Sequence, residues 1–83
     1  MSEVVELYEI VPIGDGSHYI CKNENGEYYR QPKSHDNADQ LAFYTEATAQ
    51  RYIDKYLDSK LYKPEFFGHN VDYLSFDIIT EVD

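Results

Sequence analysis

The 83-residue chain has no tryptophan, a single cysteine, and only seven Lys and Arg against sixteen Asp and Glu. One cysteine excludes an intramolecular disulfide, so packing and hydrogen bonding alone must hold the fold. The shortage of cations, at a formal net charge of −9 at pH 7, opposes attraction to nucleic-acid phosphates and to anionic membranes. No apolar run approaches the ~20 residues of a membrane-spanning helix. The first residues, MSEVVELYEIVPIG, lack a basic stretch followed by a long apolar one. These absences predict a soluble cytoplasmic protein that touches neither nucleic acid nor membrane directly.

What is present argues for a folded domain. A hydrophobic fraction of 42% and an aromatic fraction of 16% are too high for a disordered acidic tail, whose low hydrophobicity would leave its ordering entropy uncompensated. A chain of this length forms one domain, residues 1–83, and buries about 60–65% of the surface its unfolded form exposes. Nine tyrosines suit half-buried positions where the ring packs and the hydroxyl stays wet.

The order of elements follows from local pattern. Residues 3–13, EVVELYEIVPI, read as a strand closed by Pro12 and the turn Gly14-Asp15-Gly16. Residues 18–23 and 27–31 read as a hairpin joined through Asn25-Gly26, a dipeptide that favours a type I′ turn. Residues 32–40 form a loop, and a short strand is compatible with residues 41–44. A helix then starts after Thr45, with Ala49, Tyr52, Ile53, Tyr56 and Leu57 on one apolar stripe. Pro64 and Gly68 in YKPEFFGHN read as breakers, and VDYLSFDIITEV as a final strand with Leu74, Phe76, Ile78 and Val82 on one face. This predicts an α+β domain: one helix, packing Ala49, Ile53 and Leu57 against Leu74, Phe76 and Ile78, over a single antiparallel sheet of three to five strands.

No residue pattern specifies a reaction. His18 and Cys21 have the H-x-x-C spacing of half a zinc site, with His35 and His69 as candidate partners, but strand residues three apart face opposite ways. Asn23, Asn25 and Gly26 fit part of a calcium loop whose ends fall on Cys21 and Pro32, neither of them a carboxylate. Ser34-His35-Asp36 are consecutive, whereas a hydrolytic triad draws its members from separate elements. A Cys21 nucleophile needs a nearby base and a depressed pKa in surroundings that carry negative or mixed charge. Gly14 and Gly16 precede a strand rather than the helix a phosphate loop requires. The expectation is a protein without enzymatic activity, metal or cofactor.

Binding remains. Asp54 and Asp58, four apart, are expected to be helix neighbours whose like charges cost roughly 0.2–0.5 kcal/mol. Solvation with compensation from Arg51, Lys55 and Lys60 is one account of them. The other makes Glu46, Asp54 and Asp58, with Glu3, Glu6 and Glu9 on the first strand, Glu24 and Glu27 at the hairpin, and Asp77, Glu81 and Asp83 near the end, an acidic surface for a basic protein such as a nuclease or DNA-binding protein. In size, acidity and lack of a catalytic set the chain resembles phage-encoded DNA mimics of the anti-restriction and anti-CRISPR kind. The resemblance is compositional, implies an inhibitor, and transfers no residue. The competing class is a small interaction module, a homodimer being compatible with it, that works through exposed aromatic sheet surface such as Tyr28 and Tyr73.

Overall fold

The computed structural model describes residues 3–34, 38–70 and 76–82. Its elements are β1 (Val4–Pro12), β2 (His18–Lys22), β3 (Tyr28–Pro32), β4 (Ala42–Phe43), α1 (Glu46–Tyr56), β5 (Tyr62–Asn70) and β6 (Ile78–Ile79). They form the expected α+β arrangement, in which one helix packs on a mostly antiparallel sheet. The strands divide into a four-stranded sheet, ordered β5-β1-β4-β6, and a two-stranded β2-β3 hairpin. Among the described residues only β4 and β6 run parallel.

The longest pairing lies where the sequence pattern suggests a break. All nine residues of β5 pair antiparallel with β1, Glu9 opposite Glu65 and Leu7 opposite Phe67. Pro64 is tolerated because Ile13 N–H donates to Leu61 C=O at 2.8 Å. That bond puts the Ile10–Pro64 pair at a site where the missing N–H would point away from β1, toward the open edge. Proline and glycine therefore mark an edge strand here, not a loop. Leu74 and Tyr73 lie outside the described residues, and of the segment 71–82 the described part pairs only at Ile78–Ile79.

Both faces of β1 are covered, so its second half is apolar almost without interruption. Tyr8 and Ile10 meet Phe43, Ile79 and Tyr62 on the face beneath α1, where Ala49, Tyr52 and Ile53 pack with Ile20 and Leu41. On the opposite face Leu7 and Ala42 meet Phe76, Phe67 and Ile78, and Val11 meets Tyr19 and Cys21 of the hairpin. The helix thus packs on Ile10 and Phe43. The expected partners Phe76 and Ile78 belong to the other face.

Three local features depart from their expected form for identifiable reasons. The hairpin closes through the five-residue connection 23–27, not a two-residue type I′ turn: Gly26 has φ +83° and Asn25 does not take positive φ. The Asn23 side chain accepts the N–H groups of Asn25 and Glu27, each at 2.9 Å, and so holds the wider loop. The helix begins as expected, with Thr45 Oγ1 accepting Thr48 N–H at 3.2 Å, but ends at Tyr56. Beyond it Asp58 Oδ1 accepts Lys60 N–H at 2.9 Å and Asp58 C=O accepts Leu61 and Tyr62 N–H, a turn that competes with further helix. Asp54 and Asp58 are therefore not a helical pair.

Candidate functional site

Several of the exposed carboxylates are carried by loops and element ends, while Glu6 lies within β1 and Asp54 within α1. Glu24 projects from the hairpin loop and Asp77 from the residue before β6, while Asp39 precedes the bridge from Gln40 to Cys21. That bridge, with Lys22 N–H donating to Asp39 C=O and Leu41 N–H to Ile20 C=O, draws the 39–41 segment along β2. Glu24, Asp39 and Asp77 consequently line one recess of about 270 Å³, with Lys22, Leu41 and Ile79 among its walls. Asp39 also accepts the Tyr29 hydroxyl at 2.6 Å. The recess combines carboxylates with apolar walls, a shape that takes a side chain with an apolar stem and a cationic head.

The remaining expected residues are distributed around the surface. Asp54, which accepts from Gln50 at 3.0 Å, shares a shallow groove with Arg51, Lys55 and Val82, next in sequence to Glu81. Glu46 lies in the first turn of α1, Glu27 borders the hairpin loop, and Asp58 lies in the turn after the helix. Glu24, Glu27, Glu46, Asp54, Asp77 and Glu81 are all exposed and make no ion pair with another described residue. Tyr28 is partly exposed on β3, and Tyr73 is outside the described residues.

Two groups were not apparent from sequence. One is an ionic cluster around a buried carboxylate. Glu9, only 4% exposed, faces Glu65 across the strand pair; the Lys33 ammonium lies 3.3 Å from Glu9 and 2.7 Å from Glu65, and Gln40 Nε2 donates to Glu9 at 3.3 Å. Burial raises the Glu9 carboxyl above its ordinary range, an effect the Lys33 charge and hydrogen bond only partly offset. Burial pulls Lys33 the other way, but Glu65 and Glu9 outweigh it and leave the ammonium raised. Glu9 therefore belongs to the interior and not to the acidic surface. The cluster ties the end of β3 to β1 and β5.

The second group is aromatic. The Lys22 ammonium lies 5.7 Å from the Tyr28 ring centroid and 5.9 Å from that of Tyr56. The Tyr28 and Tyr52 hydroxyls are 2.9 Å apart, and the Tyr52 and Tyr56 ring centroids lie 4.8 Å apart with the rings tilted by 46°. Tyr56, expected on the buried stripe, is 50% exposed. The helical period does place it on that face, but the helix ends there and the covering sheet does not reach it.

The candidate chemical centres are placed as follows. β2 pairs with β3 in unbroken register from His18 to Lys22, so His18 and Cys21 face opposite ways. His18 Nδ1 lies 3.1 Å from Asp15, and Ser17 and His18 hydrogen bonds hold the Asp15 carboxyl down at about 2. Burial pushes the Cys21 thiol up to about 11, and the Tyr29 hydrogen bond offsets this only in part; the sulfur stays a thiol at neutral pH. Of Ser34-His35-Asp36, only Ser34 falls among the described residues. Among the described residues no three His, Cys, Asp or Glu are placed to hold one metal ion, and no helix is long and apolar enough to cross a membrane.

No family model matches the chain, and neither a curated protein nor a solved structure shows a significant match to it.

Proposed function

We propose that this protein is a non-enzymatic acidic binding protein that occupies a basic site on a nucleic-acid-handling protein, in the manner of a DNA mimic. The observation that carries the reading is the gathering of Glu24, Asp39 and Asp77 around one recess, on a surface where Glu27, Glu46, Asp54 and Glu81 are also exposed and make no ion pair with another described residue. Carboxylates fixed at loop and strand ends present discrete negative charges, as phosphates do, to a groove built to hold phosphates. The protonated, buried Cys21 agrees with a role in binding rather than chemistry.

The test compares two charge-removing pairs against a partner captured from the native host. Glu24→Gln with Asp77→Asn should weaken binding by more than tenfold at physiological salt. Asp54→Asn with Asp58→Asn removes the same charge from the helix and the following turn and should weaken it less. Equal losses would reduce the acidic recess to general attraction, and no loss from either pair would end the proposal.

A second reading, a small oligomeric interaction module, is favoured by one specific feature. Val4 and Phe66 are 70% and 54% exposed on the helix-side face of β1 and β5, where α1 does not cover the sheet. Exposed apolar area of this kind marks interfaces. Light scattering that finds a dimer, dissociated by Phe66→Ser, would favour it over the acidic reading.

A further inference from the structure

We propose that Tyr28 and Tyr56 form a cation-binding pair, occupied by Lys22 within the free protein, that accepts an arginine side chain of the basic partner. The inference rests on the acidic-surface reading and names the group that surface recognises. The pair is built from two separate elements, β3 and α1. Tyr28 is anchored to the helix through the Tyr52 hydroxyl at 2.9 Å, and Tyr56 lies against the Tyr52 ring at 4.8 Å. Both rings remain accessible, at 37% and 50% exposure.

One ammonium, Lys22 Nζ, sits within 6 Å of both centroids, the range in which a ring face attracts a cation. The chain's own lysine thus marks the place where a foreign cation fits. Lys55 approaches the Tyr56 ring as well, at 5.3 Å, so that ring already carries two cations of the same chain. Lys22 also lines the recess that holds Glu24, Asp39 and Asp77, so rings and carboxylates adjoin the same side chain. A guanidinium is planar, stacks on aromatic faces and is more weakly hydrated than an ammonium. Its fork of N–H donors can stack on the rings and reach a carboxylate at once. Arginine is accordingly the better occupant, and Lys22 is a placeholder that it displaces.

The experiment titrates the whole protein with octa-arginine and octa-lysine peptides, followed by NMR. The arginine peptide should bind about fivefold more tightly, with Tyr28 and Tyr56 ring signals among the most shifted. Tyr28→Leu should remove that advantage, and Tyr28→Phe, which keeps the ring face, should retain it. Lys22→Ala and Lys63→Ala change the charge equally, yet only Lys22→Ala should raise affinity for arginine over lysine. This comparison does not depend on Tyr28→Leu folding. Equal binding of both peptides, with equal gains from the two lysine variants, would overturn the tyrosine pair and leave the acidic surface standing. Binding of neither peptide would overturn the acidic surface itself.

Discussion

Glu9 shows how much a single position can conceal. It falls between Leu7 and Val11 in a strand whose charged residues look solvated, and nothing local signals that Lys33 and Gln40 come from distant segments to meet it. Its folded-state pKa is raised by burial, so the folded state holds the proton more tightly than the unfolded chain does. The associated stabilisation is present at low pH and lost as pH rises through the folded value. Glu9→Gln, which can keep a polar contact with Gln40 while Lys33 keeps Glu65, should therefore stabilise the protein at pH 7.5, and the gain should vanish near pH 4. Urea unfolding at the two pH values checks this; destabilisation confined to pH 7.5 would mean that pairing with Lys33 outweighs burial. Ile53, in contrast, was legible from helical period alone and is fully buried. Ile53→Ala should cost about 2–5 kcal/mol by the same unfolding measurement.

At the scale of elements, β1, the hairpin and the helix start were readable because their signals are local: alternation, Asn25-Gly26, and Thr45 as cap. β5 was not, since Pro64 and Gly68 disqualify an internal strand and only the sheet order shows that this strand is at an edge. The partners of α1 are hidden for a related reason, because periodicity tells which residues share a face but not which face of the sheet the helix covers. Pro64 removes an outward N–H from an otherwise continuous nine-residue edge, which limits pairing with other chains. Pro64→Val should leave stability within about 0.5 kcal/mol, as surface changes usually do, while increasing concentration-dependent self-association in sedimentation velocity. At the hairpin, Gly26→Ala places a side chain at φ +83° and should cost about 1–2 kcal/mol in thermal unfolding.

For the molecule as a whole, the charge was plain in the composition and its arrangement was not. Lys33 pairs with Glu9 and Glu65, and Arg30 with Asp15, away from the carboxylates of the recess. Glu24 and Asp77, 53 positions apart in sequence, come together because the 39–41 segment runs beside β2 and β6 pairs with β4. In the proposed function this negative surface substitutes for nucleic acid. The measurement that tests it most directly is competition: labelled duplex DNA bound to the captured partner, challenged with the protein over a series of salt concentrations and followed by fluorescence anisotropy. Stoichiometric displacement of the DNA, with affinity falling steeply as salt rises, is the predicted result. DNA that stays bound beside the protein in a ternary complex of salt-independent affinity would contradict it.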